Sequence, residues 1–299
     1  MTVRLERASV SARRPDGPSA VTCPVVWLSW QISIWVAAFL GVVWMVARRG
    51  AGAWRQQFAP LCREAGLVFT IYAAWVRLGE TTVMGTGGAF GRARWVWNTE
   101  RWLHLPNEVT LQRWALHATW LIRFLNMYYI VFHVLPLGVF LVWLYVRHRE
   151  SFPHWRNQLA FVSLVCQCIL LVPLAPPRFF PNLGFVDTAA RYGPTVYRGG
   201  GLKDAGQLAA MPSMHVAWAM IIGIGTMSVT RSRWRWIGAA HAVIMVLAVT
   251  LTAYHWLLDG IVATAVLLIG MAIAASWNRH RSRPVDQSQE MADQLAGAR

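Results

Sequence analysis

Charge is the first thing this chain lacks. Only 14% of its 299 residues are Asp, Glu, Lys or Arg, where a soluble domain carries about 25%. Carboxylates are scarcer still: 13, against 28 basic side chains, for a formal net charge of +15. Lysine is almost missing, Lys203 being the single one. The four cysteines, Cys23, Cys62, Cys166 and Cys168, have no zinc or disulfide spacing, which excludes a stapled secreted scaffold. No nucleic-acid-binding motif accompanies the positive charge. The arginines sit in tails and short loops, a distribution that suits topology signals and anionic headgroups.

Apolar runs replace the missing charge. They cover 24–47, 65–79, 126–146, 157–175, 213–230, 236–254 and 257–277. A span needs about 20 residues, so the short run 65–79 is expected to extend or tilt. The first run is too long for a signal-peptide core and reads as a retained span. Segment 98–125 differs: Trp102, Leu105, Val109, Leu116, Trp120 and Phe124 recur at helical spacing with charged residues between them. It reads as an amphipathic helix at the membrane interface. The fold expected is therefore all-α: a polytopic membrane helical bundle of six or seven spans plus an interfacial helix. Residues 1–23 read as a disordered basic tail, 24–278 as one transmembrane catalytic domain, and 279–299 as a polar cytoplasmic tail, with 284–299 unstructured.

Loop charges predict orientation. Arg147, Arg149 and Arg156 flank one turn; Arg231, Arg233 and Arg235 fill another; Arg279, Arg281 and Arg283 follow the last run. Positive-inside bias assigns all three to the cytoplasm. Alternation then sends the 176–212 loop and residue 255 to the extracytoplasmic face of a plasma-membrane protein.

Two polar motifs share that face: Pro212-Ser213-Met214-His215, and His255 with Asp259. An ionised acid near the centre of a span costs roughly 2.5–3.5 kcal/mol on insertion scales, so such residues are expected to have work to do. Pro212 suits a first helical position, and Ser213 with the amides after it would form an anion site. His255 and Asp259 lie one helical turn apart, so the carboxylate can fix the imidazole's tautomer. A histidine so held can attack phosphorus, and His215 can protonate a leaving oxygen. Arg178, Arg191, Arg198 and Lys203 are candidates to surround phosphate oxygens. Gly199-Gly200-Gly201 lacks the lysine-serine ending of a nucleotide loop. His104, His117 and His241 read as structural, with Tyr128 and His133 the nearest to exceptions. A haem-binding electron carrier using His215, His241 and His255 is the rival reading, and a lipid-binding protein with a degenerate site is a third.

These residues resemble the type 2 phosphatidic acid phosphatase superfamily, whose motifs include Pro-Ser-x-His and a final His-x-x-x-Asp. Arg178 looks like the arginine of its first motif. The lysine expected seven residues earlier is Leu171 here, no proline follows Arg178, and Lys203 is a candidate replacement. The stretch 176–188 resembles the inositol phosphorylceramide synthase branch and its actinobacterial relatives, and Glu100, Asn126, Tyr128 and His133 are loosely similar to it. The resemblance implies His255 as nucleophile, Asp259 as its orienter, His215 as general acid, and Arg178 and Ser213 as phosphate ligands, with no metal or cofactor. The implied substrate is a lipid phosphate or diphosphate in the bilayer, with transfer of a phosphorylated headgroup to a lipid alcohol as the alternative.

Overall fold

Apolar helices dominate the computed structural model, which describes residues 28–50, 52, 54–81, 87–193 and 205–297. The expected basic tail 1–23 lies outside them. In chain order the helices are α1 (Trp30–Ala47), α2 (Ala59–Thr81), α3 (Ala89–Trp102), α4 (Glu108–Ala115), α5 (Thr119–Val131), α6 (Leu135–Arg147), α7 (Phe152–Ile169), α8 (Thr188–Tyr192), α9 (Met214–Val229), α10 (Arg235–Leu251) and α11 (Leu257–Gly297). Among the described residues there is no strand, only a parallel bridge between Leu174 and Ala209.

Two helices, Trp30–Ala47 and Leu257–His280, are long and apolar enough to cross a membrane, and α5 with α6 makes a third if the bent pair is one span. Helices α9 and α10 are apolar but shorter. The protein is thus all-helical, with two or three candidate spans. The run 65–79 does extend, becoming the 23 residues of α2.

Four expectations change. The run 126–146 is not one straight helix: it bends by 52° between α5 and α6. Pro136, at the start of α6, has no N–H to give Phe132, and its ring crowds that carbonyl. His133 falls in the break. The amphipathic segment 98–125 is three pieces rather than one helix. His104 takes a left-handed φ of 56°, Asn107 caps α4 by accepting the Val109 and Thr110 amides at 3.0 and 3.3 Å, and α5 begins after Ala118. Trp102, Trp114 and Trp120 still project outward from it. Finally, Arg156 is not a solvated flanking charge. It is buried and forms an ion pair with Glu64 of α2. The helical ladder of α11 also continues to Gly297, through residues whose composition predicts no structure; once a helix is started, each further residue adds a hydrogen bond at little cost.

The core has three parts. One joins α6, α7, α9 and α11. A second joins α5, α9 and α10. The third sits over the end of the bundle, where α3 and the 174–185 loop enclose Trp256. Helices α9 and α10 approach closely because Gly223, Gly238 and Ala242 meet between them: a Cβ on Gly223 would lie 3.0 Å from that of Ala242. At Gly238 an added Cβ would overlap the Thr226 hydroxyl. We expect Gly238→Leu to cost about 1–3 kcal/mol through overpacking. Gly41→Ala, whose Cβ meets nothing within 4 Å, should instead gain up to about 1 kcal/mol of helix propensity. Thermal unfolding in detergent checks both; equal effects would mean that the α9–α10 contact does not confer stability.

Candidate active site

The end of the bundle bearing both polar motifs contains a cavity of about 340 Å³, lined by Arg178, Tyr129, His133, His215, Tyr254 and His255 among others. They come from several turns and helix ends, Tyr254 and His255 from the same one, so the loops that hold them matter as much as the helices.

His255 lies just before α11. Its Nδ1 is 2.6 Å from the Ala210 carbonyl oxygen. A carbonyl only accepts, so Nδ1 carries the hydrogen and Nε2 keeps its lone pair. Asp259 stands farther from the ring, at 3.5 Å from Nδ1. Asp259 and the Ala210 carbonyl thus both face Nδ1, and the backbone of Ala210 makes the shorter contact. The carboxylate of Asp259 also accepts the Trp256 amide at 2.8 Å, reaching back as the acid of a capping box does. Its backbone carbonyl accepts the Ser213 N–H at 3.3 Å, which ties the two motifs together.

Ala210 is itself positioned. Leu174 donates to the Leu208 carbonyl at 2.6 Å, and Ala210 donates to the Leu174 carbonyl at 3.2 Å. The same loop brings Arg178, whose amide donates to Ala253 at 3.1 Å. The Arg178 guanidinium is buried over the faces of Phe179 and Tyr254, 4.9 Å from each.

The second motif differs from expectation at its start. Ser213, not Pro212, caps α9, and Pro212 precedes the cap after a cis peptide bond. The Ser213 hydroxyl accepts the Val216 amide at 3.4 Å, and Ser213 is fully buried. Pro212, Met214 and His215 line the cavity beside it. As the first two residues of α9, Met214 and His215 have amides with no intrahelical acceptor, so the helix end remains suited to an anion.

The His215 ring is sandwiched. Tyr129 lies 3.8 Å away on one side and His133 lies 3.7 Å away, both near parallel. Tyr254 extends the stack beyond Tyr129 at 4.1 Å, and Trp218 beyond His133 at 4.5 Å. The bend at Phe132–Val134 is what lets α5 supply Tyr129 and the break supply His133. His215 and His255 are 5.9 Å apart by ring centroids, so a phosphoryl group has room between them. The stacking leaves no gap for a haem between His215 and His133, and His241 is occupied by the Tyr128 hydroxyl at 2.6 Å.

Arg191 is not brought to the cavity: it is exposed on α8, over the Tyr192 ring at 5.4 Å. Arg198 and Lys203, with the 199–201 glycines, lie outside the described residues. Leu171, where the resemblance expects lysine, is 58% exposed.

Sequence reasoning named Glu100 only through the resemblance and gave Glu108 no role, yet both hold the start of α11. Glu108 accepts the Leu257 amide at 2.6 Å, and Glu100 accepts the Leu258 amide at 2.8 Å. Both are buried, at 1% and 0% exposure. With Asp259 on Trp256, three carboxyl groups take the three successive amides that open α11. The positive helix end favours such acids. Burial nevertheless pushes the Glu108 carboxyl well above the usual range, and the neighbouring Glu100 adds to it; burial raises Glu100 as well. The usable signal was Glu108 directly after Pro106-Asn107, an acid in the first turn of a helix.

A profile of the PAP2 superfamily matches residues 94–273. That is more than half of the chain and includes Arg178, Ser213, His215, His255 and Asp259; the chain belongs to the PAP2 superfamily. No curated protein and no solved structure shows a significant match to it. Membership supports a phosphatase-type enzyme.

The acid pair generates a pH prediction. Because the folded value of Glu108 is raised, the folded state holds a proton that the unfolded state releases. The stability it contributes is whole below the ordinary Glu value of about 4.3 and declines as pH rises through the folded value. Wild-type melting temperature should therefore fall over that rise, while Glu108→Gln, permanently neutral and still able to accept from Leu257, should flatten the profile. Glu108→Ala strands a buried amide and should cost about 1–3 kcal/mol. A Gln variant with an unchanged pH profile would show that Glu108 is ionised throughout.

Proposed function

We propose that the protein is a membrane-embedded lipid phosphate or diphosphate phosphatase that works through a phosphohistidine at His255. The observation that carries this is the 2.6 Å bond from Nδ1 to Ala210, which leaves Nε2 as the lone pair in a cavity shared with Arg178 and His215. In the first step Nε2 attacks phosphorus, a P–N bond forms, and the P–O bond to the lipid breaks. His215, protonated, gives its proton to the departing oxygen. Stacking between Tyr129 and His133 holds that ring in one orientation. In the second step water attacks the phosphohistidine, neutral His215 takes the water's proton, and inorganic phosphate leaves with His255 restored. Arg178 and the α9 amides bind the non-bridging oxygens, whose charge is the main demand of phosphoryl transfer. Ser213 contributes by capping α9, and Asp259 by holding the turn on which His255 sits. Lys203 and Arg198 are the further cations proposed for the headgroup, with Arg191 more distant. None of these steps draws on a metal or cofactor.

We further propose six or seven spans, within one catalytic domain over 24–278, between the basic tail and the polar cytoplasmic tail 279–299. The support for an extracytoplasmic site in the plasma membrane is loop charge. Arg147 and Arg149 end α6, and Arg231 and Arg233 join α9 to α10; these helices start or finish at the cavity, and their arginines sit at the other end.

With a phosphodiester donor such as a phosphoinositide, His255 would carry the phosphorylated headgroup, and a lipid alcohol replacing water in the second step gives headgroup transfer instead, as the likeness to the inositolphosphotransferase branch suggests. A panel of phosphatidic acid, polyprenyl diphosphate and phosphatidylinositol labelled on phosphorus, with and without inositol and diacylglycerol acceptors, tests both. We expect free phosphate as product, retained in EDTA. His255→Ala should abolish it, and His215→Ala should lower turnover roughly 10²–10⁴-fold. A new phospholipid in place of phosphate identifies the transferase; activity lost in EDTA, or kept in His255→Ala, contradicts the mechanism.

A further inference from the structure

A second and larger cavity, about 850 Å³, runs between the α5–α6 pair and the α9–α10 pair. Its walls are apolar, with Phe132, Leu135, Val139, Ile222, Ile237 and Ile244 among them. One end reaches the Tyr128–His241 pair beside the bend. The other end is lined by Arg147 and Arg235, with His148, Ser232 and Trp234 beside them. No carboxylate lines it, and neither arginine has an ion-pair partner among the described residues. Arg235 Nε is out of contact with water and donates to nothing among the described residues. A desolvated guanidinium nitrogen without an acceptor is costly, and an anion beside it would remove that cost.

The charged end is far from the candidate active site. Helix α9 begins at Met214, next to His215, and spans 16 residues before Thr230, about 24 Å at 1.5 Å per residue. A phosphate held by Arg147 and Arg235 is thus out of reach of His255. Arg235 lies over the Trp236 ring at 5.6 Å, but neither cation meets a carboxylate among the described residues; a long apolar slot with two such cations at one end matches an acyl chain attached to an anionic headgroup, and a guanidinium grips phosphate oxygens in pairs.

We infer that this groove binds one acyl chain of an anionic phospholipid, with the headgroup phosphate between Arg147 and Arg235, at a site separate from the one that does chemistry. The bound lipid covers the seam between the α5–α6 bend and the α9–α10 pair, the elements that supply Tyr129, His133 and His215. The inference rests on the chain being a membrane protein and not on its hydrolytic reading, so binding is measured on both wild type and His255→Ala.

The full-length protein in detergent is titrated with dioleoyl phosphatidylglycerol or dioleoyl phosphatidylcholine, and retained lipid is counted by native mass spectrometry. Phosphatidylglycerol should be retained on the order of tenfold better, since each arginine near the headgroup favours an anionic lipid. The double variant Arg147→Ala, Arg235→Ala should reduce it to the phosphatidylcholine level while leaving the lipid-free melting temperature near wild type. Arg235→Lys should keep most of the preference. Val139→Trp, placed on an exposed wall position, should block binding in an otherwise folded protein. Arg178→Ala and His255→Ala should leave binding intact. Equal retention of the two lipids overturns the proposal, as does a preference that survives the double variant or disappears in Arg178→Ala. A Val139→Trp effect on oligomeric state with none on lipid would instead assign the groove to a partner helix and overturn it too.

Discussion

Three carboxyl groups converge on one turn of backbone, and the candidate active site depends on that convergence. The amides of Trp256, Leu257 and Leu258 open α11 and have no partners within the helix. Asp259, Glu108 and Glu100 take them in turn. Water would normally meet such amides; here Trp256 and its surroundings exclude it. Without the acids, a helix end carrying partial positive charge would be buried bare. With them, the residue immediately before the turn, His255, is held against Ala210 from one side and the helix from the other. The same contacts bind α3 and α4 to α11, so these two helices serve as the clamp on a distant part of the chain.

A second constraint is the bend between α5 and α6. A straight helix through 126–146 would carry His133 along a continuous face. The break at Phe132–Val134 instead lets Tyr129 and His133 reach opposite sides of His215. The two constraints act on different histidines, and the Ser213 amide bonded to the Asp259 carbonyl joins them. Sequence-distant motifs are thus coupled through backbone, which substitution of side chains leaves in place.

Much of this could be read from residues alone. Apolar length marked α1, α9, α10 and α11, because long runs with few charges suit helices with apolar surroundings. The Ser213–His215 and His255–Asp259 motifs were visible because polar groups at the ends of such runs are exceptional. Pro136 was visible, but its consequence was not: a proline in a span can kink or be absorbed, and only tertiary packing decides. The fate of Arg156 was equally hidden, since an arginine near a helix end looks the same whether it meets water or Glu64. The roles of Glu100 and Glu108 depend on contacts across about 150 residues of chain, which periodicity does not encode. Ala210 was invisible for a simpler reason: its contribution is a carbonyl oxygen, which every residue has.

The central claim is that His255 Nε2 forms the covalent bond to phosphorus. Rapid acid-free quenching of wild-type protein with phosphorus-labelled lipid phosphate, followed by peptide mapping, tests it most directly. The account predicts a label on the peptide containing His255, stable to alkali and lost in acid as a P–N bond is, and absent from His255→Ala. Label on another residue, or turnover in which no labelled protein forms while phosphate is released at full rate, would contradict it.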